Sequence, residues 1–513
     1  AVLGIKGRWP GSCDSLAALW GVLRAAGDAV TQVPAARWTL PAEADITTLS
    51  DLEVAATSHG GFIARAEAFD NRSFGVAPAE AEAMDPHQRL LLETGYASLH
   101  STGLRRTTLL GLGVGVAVGI SKLDFQQLTW QGKLTAAGST YLGAGGDLGM
   151  APRRLSFVLG LQGPAFALHT ACSSALVALD LANRSSSRVP EWSVGGVHMV
   201  LTPPLWAANT GGMHSLRGRS RVFDSDADGF ARSEACVSVA LLPREAAVTL
   251  QGSSARQDGK SASLTAPNGQ AQRTMLRAGI DDAGIDAHDA VLIEAAANGS
   301  PLGDPIEVGA LGAVLPSSLV IANSKGSIAH SEPASGLSGL ALLGEKLLRL
   351  QGGVNAQLRV LNPVVDSVQQ AMPHRLAIQR FSLALQKRLG GVSAFGATGT
   401  IAHAVLRVES HALDYTSFAI TLAYRRCCLP WRTTRLAEAR GDESASPFAS
   451  VGAMAHALAP LAPTQRRAHV EGAVLRVVRE LSGAPLAALA AETPLMEAGI
   501  DSLCLLYTSD AAD

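Results

Sequence analysis

The sequence predicts a large layered α/β core over residues 1–410, a linker over 411–462 and a partial all-α segment over 463–513. Three observations carry this. Short apolar runs alternate with helix-period segments and Gly-rich turns through the first 410 residues. Hydrophobic residues make up 47%, charged residues only 17%, and Gly occurs 52 times, a balance that fits a close-packed enzyme better than a disordered chain or a coiled coil. The character then changes at 411, where a basic-aromatic stretch and an Ala/Ser/Glu/Pro-rich stretch replace the alternation before an amphipathic helix returns.

A chain of 513 residues is too long for one ordinary domain. A formal net charge of -2 gives no basic field to grip nucleic acid, and there is no acidic tail. Cys13, Cys172, Cys236, Cys427, Cys428 and Cys504 are scattered, without the spacing of a metal site or a disulfide framework. A reducing, cytoplasmic compartment is therefore expected. The longest apolar run, 109–120, carries four glycines and falls short of the roughly 20 residues of a membrane span. It reads as a buried strand. The chain starts at Ala1 inside an apolar strand-like run, so an organelle-targeting peptide would lie upstream.

Along the core, Leu16, Leu19, Trp20 and Leu23 have helical spacing, with Asp14 or Ser15 as N-cap. A second amphipathic helix is expected over 79–99, interrupted at Asp85-Pro86. Strands are expected near 114–118, 193–200, 237–242, 291–294, 319–323 and 404–408. Beyond 411, Arg425-Arg426-Cys427-Cys428-Leu429-Pro430-Trp431-Arg432 is read as the packed part of a linker whose remainder is mobile. Val470, Val474, Val477, Val478 and Leu481 then share one face of a helix over 464–481.

The first chemical signal is 163–179. An apolar strand leads into Thr170-Ala171-Cys172-Ser173-Ser174, and a helix-forming run starts right after the cysteine. A thiol at a helix N-terminus meets unsatisfied N–H groups and the positive end of the dipole. Both favour thiolate, and such cysteines can reach a pKa of about 3.5–7.5. An isolated cysteine is more often an ordinary core residue. The strand–turn–helix setting raises the nucleophile reading to at least equal weight.

The string from Thr170 to Leu179 resembles the active-site elbow of β-ketoacyl synthases of modular polyketide and fatty-acid synthases. Further motifs extend the resemblance in order. They are Arg8-Trp9-Pro10-Gly11, Glu82-Ala83-Met84-Asp85-Pro86-His87-Gln88-Arg89, Phe223-Asp224 with Asp228-Gly229-Phe230, Gln257-Asp258-Gly259, Leu264-Thr265-Ala266-Pro267-Asn268-Gly269 with Gln272, and Pro301-Leu302-Gly303-Asp304-Pro305-Ile306-Glu307. The resemblance implies a thiolase-like duplicated α-β-α core, a homodimer, and acyl and malonyl thioesters on carrier domains as partners, alongside other synthase domains.

It also implies two steps. An acyl group passes from a carrier thioester to Cys172, and a decarboxylated malonyl unit then attacks that acyl-enzyme. The first step needs an oxyanion hole; the second also needs donors for an enolate, two histidines in the family. Asn323-Ser324-Lys325-Gly326-Ser327-Ile328-Ala329-His330-Ser331-Glu332 is similar to the family's SVKTNIGHLE. His330 takes the place of the second histidine, and Lys325 and Glu332 take those of a supporting ion pair. The first histidine falls on Ala296, whose methyl group donates nothing, and such a loss costs about 100–1,000-fold in rate. Ala394-Phe395-Gly396-Ala397-Thr398-Gly399-Thr400-Ile401-Ala402-His403 is similar to SFGFGGTNAH. Ala397 would supply the backbone oxyanion N–H in place of an aromatic gate, and Thr398 stands where the family has glycine. His403 reads as structural, and His169 has no assigned role.

Leu495-Met496-Glu497-Ala498-Gly499-Ile500-Asp501-Ser502-Leu503 is similar to the attachment motif of acyl carrier domains. It implies 4′-phosphopantetheine on Ser502. A serine at a helix start is equally a plain N-cap. Only Cys504–Asp513 follow, so the carrier is expected to be truncated, with foreign residues at its end. The expected enzyme is an acyltransferase of the 3-oxoacyl-carrier synthase type whose condensation is weak or lost, with no metal. Two rivals stand beside it: a fully elongating synthase and an inactive dimerisation scaffold. A degradative thiolase would need a second reactive cysteine, and Cys236 lies in the wrong motif for it.

Overall fold

The structure, a computed structural model, describes residues 2–35, 37–38, 51–121, 124–136, 139–203, 213–383, 388–409 and 422–431. They fall into two compact units. The larger draws on Ala1–Ala66, Leu90–Asp124 and Leu148–Ala423. The smaller draws on Glu67–Arg89, Phe125–Asp147 and the stretch from Tyr424 onward.

An 11-stranded sheet organises the larger unit. In chain order its strands are Val2–Arg8 (β1), Gly115–Ile120 (β2), Ala165–Leu168 (β3), Trp192–His198 (β4), Ala235–Leu241 (β5), Val248–Gln257 (β6), Leu292–Glu294 (β7), Val320–Ala322 (β8), Arg375–Leu376 (β9), Leu389–Phe395 (β10) and Thr400–Val408 (β11). Across the sheet they run β9-β8-β7-β10-β11-β6-β1-β5-β4-β2-β3.

Outward from the centre, this order is one pattern used twice. In the first half β1 pairs antiparallel with β5 and β5 with β4, whereas β4–β2 and β2–β3 are parallel. In the second half β6 pairs antiparallel with β11 and β11 with β10, whereas β10–β7 and β7–β8 are parallel. The halves meet at an antiparallel β1–β6 contact, and β9 extends the second half beyond β8. This is the duplicated core that the motifs imply.

Five helices complete what the site needs: Leu16–Arg24 (α1), Ser174–Arg184 (α2), Gly269–Ala283 (α3), Gly303–Gly312 (α4) and Ser335–Arg349 (α5). α2 follows β3 and α5 follows β8, the same place in each half. Residues Ser335 to Leu347 of α5 are all buried, as expected of a helix enclosed on every side. One apolar cluster joins Ala175, Leu176 and Leu179 of α2 to Leu337, Leu340 and Leu343 of α5 and to the strands beneath them. Gly119 of β2 shows how closely α2 lies on the sheet, since a Cβ there would fall 2.4 Å from the Ala175 nitrogen.

The expected strands fall on β2, β4, β5, β7, β8 and β11. Ser15 caps α1, its Oγ accepting from the Ala18 N–H at 3.2 Å. The helix expected over 79–99 is two helices, Pro78–Ala83 and Pro86–Ser101, because Pro86 opens the second. Apolar patterning does not mark β6 and β10. Val248–Gln257 has a polar centre and Leu389–Phe395 carries two adjacent glycines, so neither shows a clean apolar run.

In the smaller unit Cys427–Cys428 pairs antiparallel with Ala68–Phe69. The buried Arg89 guanidinium donates to the carbonyls of Glu82, Met84 and Leu429. Residues 432–513 lie outside the described residues. With them lie the 464–481 helix, the carrier motif and Ser502. Among the described residues no helix is long and apolar enough to cross a membrane.

Candidate active site

The turn between β3 and α2 is wound by small hydroxyl side chains. The Thr170 N–H donates to Ser174 Oγ at 2.9 Å, and Ser174 Oγ donates to the Ala171 carbonyl at 2.6 Å. Ser173 Oγ bonds the Thr170 carbonyl at 2.9 Å. Ala171 is forced into the left-handed region, φ 53°, just before the cysteine. Cys172 is thereby set immediately ahead of the first turn of α2, half-buried, as the elbow reading requires. Its carbonyl accepts from Ser335 Oγ at 3.1 Å.

His330 is delivered by the equivalent connection in the other half, between β8 and α5. Its backbone is held on both sides: its N–H donates to Ala231 and its carbonyl accepts from Ser233, each at 2.9 Å. The ring is 3% exposed and meets the Phe230 ring edge-on at 4.7 Å. Neither ring nitrogen has a hydrogen-bond partner among the described residues. Burial, reinforced by the Lys325 charge, lowers its pKa to about 3. The imidazole is therefore neutral at ordinary pH, with one N–H to donate.

Lys325 is buried and its Nζ donates to the Ala295 carbonyl at 3.0 Å. Burial lowers its pKa, opposed by Glu294, Glu307, Asp304 and Cys172. The expected Lys325–Glu332 ion pair does not form. Glu332 is held instead by Arg232 at 2.7 Å, with His198 Nε2 at 3.5 Å. The loop turns back at Ala329 (φ 58°, ψ -169°), so Glu332 is carried to the guanidinium while Lys325 faces the 295–297 loop.

Ala296 sits in that loop. Glu307, in the second turn of α4, accepts from the Ala296 N–H at 2.8 Å and the Ala297 N–H at 2.6 Å. Asp304 accepts from the N–H groups of Phe223, Asn298, Gly299 and Ser300. Burial pushes Glu307 up to about 7 and Asp304 up to about 6.

The β10–β11 hairpin supplies the remaining wall. Its internal bonds run from the Gly396 N–H to Thr400 and from the Gly399 N–H to Gly396, leaving the Ala397 N–H outside them. Gly399, at φ 84°, takes the left-handed position, so Thr398 is spared the conformation that would strain it. Gly396 lies against the elbow, where a Cβ would come 2.2 Å from the Thr170 carbonyl.

Cys172, Lys325, His330, Ala296 and Ala397 line one cavity of about 170 Å³. Glu332 is not among its lining residues. His403 is buried away from it, its Nδ1 bonded to Ser393 Oγ at 2.9 Å, and His169 is exposed. Cys236 is enclosed in β5, where burial pushes its thiol up to about 12. Ser335 and Phe230 are lining residues to which the sequence assigns no role. Phe230 falls within the Asp228-Gly229-Phe230 motif, whereas nothing in the sequence around Ser335 marks it.

A duplicated α/β core sets a helix-terminal thiol, a buried imidazole and a buried amine around one cavity, groups suited to acyl transfer through a thioester. The β-ketoacyl synthase N-terminal domain matches residues 1–247 and the β-ketoacyl synthase C-terminal domain matches 247–354. The chain belongs to the β-ketoacyl synthase family. It is 34% identical over 441 residues to a phenolphthiocerol/phthiocerol polyketide synthase protein of Mycobacterium tuberculosis, covering 79% of this chain and 19% of that protein. A second phenolphthiocerol/phthiocerol polyketide synthase protein of the same organism is 34% identical over 428 residues, covering 79% of this chain and 23% of the relative. The chain thus spans about a fifth of the length of these relatives. Among solved structures, the ketosynthase from module 6 of the Bacillus subtilis bacillaene synthase superposes with a TM-score of 0.71 at 26% identity, covering 80% of this chain and 72% of that one. An oxazolomycin ketosynthase domain of Streptomyces albus gives 0.70 at 27% identity, covering 80% and 73%.

Proposed function

We propose that this chain is the ketosynthase of a modular polyketide synthase that loads acyl chains onto Cys172 and extends them weakly or not at all. One observation carries this reading. Cys172, Lys325 and His330 share a cavity, and the methyl of Ala296 lines that same cavity where a second imidazole would be needed.

In the first step the Cys172 thiolate attacks the carbonyl of a carrier thioester. The Ala397 N–H, outside the hairpin's own bonds, and the Cys172 N–H receive the developing oxyanion. The carrier thiol leaves and takes a proton, and the acyl group stays on sulfur. In the second step a malonyl thioester loses carbon dioxide, and its carbanion attacks the acyl-enzyme and expels Cys172. The neutral His330 N–H can hold the enolate oxygen, with Lys325 supplying positive potential nearby. A single imidazole leaves that oxygen under-stabilised, at a cost of about 100–1,000-fold in rate.

The test is intact-mass detection of an acyl adduct on Cys172, followed by addition of a malonyl carrier. A loaded thiol with little β-ketoacyl product, and a gain in product on Ala296→His, supports the reading. Normal product yield from the unaltered chain would show a full elongating synthase, the alternative favoured by the retained Lys325 and His330. A Cys172 that reacts with iodoacetamide no faster than a free thiol would favour a scaffold.

The homodimer is proposed on β3, which ends the sheet among the described residues and carries Phe166 43% exposed. Sedimentation of the chain tests it. Attachment of 4′-phosphopantetheine to Ser502 rests on the sequence motif alone, and co-expression with a phosphopantetheinyl transferase followed by mass measurement tests it. A cytoplasmic location rests on the scattered cysteines.

A further inference from the structure

Part of the wall of the Cys172 cavity is built by the connection from β6 to α3. Asp258 follows the end of β6, and Gln272 lies in the first turn of α3. Asn268 ties the two together. Its Nδ2 donates to the Asp258 carbonyl at 2.8 Å, its Oδ1 caps α3, and its own carbonyl accepts from the Gln272 N–H at 3.0 Å. The Asp258 N–H in turn donates to the Gly399 carbonyl at 2.8 Å, fixing this corner to the hairpin that carries Ala397.

Both side chains line the cavity. Gln272 is 1% exposed, and its Oε1 has no hydrogen-bond partner among the described residues. Asp258 Oδ1 is likewise buried without one. Much of the surrounding wall is apolar, with Met213, Phe230, Pro267 and Phe395 among its residues. Buried acceptors are normally satisfied, and two left unpaired on one wall ask for a donor from outside the protein. His330, whose ring nitrogens are also unpartnered, faces the same cavity.

We infer that Asp258 and Gln272 form an acceptor subsite that selects thioesters carrying a hydrogen-bond donor over plain alkyl thioesters. The donor is either a hydroxyl on the acyl chain or an amide N–H of the pantetheine arm. The inference rests on Cys172 being the acyl acceptor. A plain alkyl group packed against this corner leaves both acceptors dry and unpaired, whereas an O–H or N–H satisfies one of them. A site of this kind discriminates by the penalty of the unpaired group, about tenfold or more in rate. Asp258 and Gln272 are specificity residues here; the reacting atoms remain those around Cys172.

The experiment follows acyl adduct formation on Cys172 of the 513-residue chain by intact mass, with two matched substrate pairs. One pair compares β-hydroxybutanoyl and butanoyl N-acetylcysteamine thioesters, which differ only in the acyl hydroxyl. The other compares butanoyl N-acetylcysteamine with the butanoyl thioester of butanethiol, which lacks the amide. A preference of about tenfold in either pair is expected, and the pair that shows it identifies the source of the donor. Gln272→Met or Asp258→Ala should then bring that ratio close to unity. Efficient acylation with a ratio below about twofold in both pairs overturns the inference and leaves the proposed function standing. So does a preference that survives both substitutions. No adduct from any of the thioesters overturns the proposed function, and the inference with it.

Discussion

The Ser335 hydroxyl donates to the Cys172 carbonyl at 3.1 Å, joining the head of α5 to the turn that precedes α2. These two helices hold the same place in the two halves of the sheet. One half supplies the thiol and the other the imidazole, so a bond between their heads fixes the spacing on which the cavity depends. Ser335→Ala should lower stability by about 1 kcal/mol, the usual worth of a buried neutral hydrogen bond. Urea unfolding of the two proteins measures it, and an unchanged midpoint would mean that this bond contributes nothing net.

Gly396 is where the β10–β11 hairpin touches the elbow. Gly396→Ala would bring a methyl group 2.2 Å from the Thr170 carbonyl, a backbone atom unable to swing aside. The hairpin must retreat, taking the Ala397 N–H with it. Acyl adduct formation on Cys172 should slow by roughly 100-fold or more, the scale of one oxyanion donor. A rate within a factor of two of the unaltered chain would remove Ala397 from the oxyanion hole.

Ala329 carries φ 58° and ψ -169°, a region that glycine enters and side chains avoid. Its methyl packs only in a small cluster with Val30 and Ala231. Ala329→Gly should therefore stabilise the protein by about 1 kcal/mol, the released strain exceeding the entropy that glycine loses on folding. Thermal unfolding reads the shift; a lower midpoint would show that the methyl contacts outweigh the strain.

His330 makes stability depend on pH. In the unfolded chain it takes a proton below about 6.5, whereas in the fold burial postpones this to about 3. Its contribution is intact above pH 6.5 and is lost as the pH falls toward 3. Glu307, raised to about 7, works in the opposite sense, gaining stability as it protonates. His330→Gln removes the first effect alone. Relative to the unaltered chain, the variant should gain about 2–3 kcal/mol between pH 7.5 and 4.5. Urea midpoints at the two pH values test this, and a constant difference would mean the ring is not held neutral.

The elbow was legible because its chemistry is local. Thr170-Ala171-Cys172-Ser173-Ser174 specifies a turn, a thiol and a helix start within a few residues, and each hydroxyl bonds within the same turn. The alternation of apolar runs was legible for strands buried on both faces, such as β2 and β4. It failed for β6 and β10, whose polar centre and paired glycines are favourable only against particular neighbours. The break at Asp85-Pro86 was legible as one interrupted helix, and the proline made it two.

By itself the sequence determined which reactive groups the chain owns and the local geometry of each: a thiol before a helix and an imidazole in a Lys–His loop. Only the tertiary structure decided which of them meet. Glu332 lies within seven residues of Lys325 yet pairs with Arg232, a hundred positions away, because the reversal at Ala329 turns the two side chains apart. Asp258 and Gln272 stand in motifs to which the sequence assigns no chemistry, and only the fold brings them together on the wall of the Cys172 cavity. Burial and pairing arise from strands brought together across hundreds of residues, and no short window of sequence contains that information.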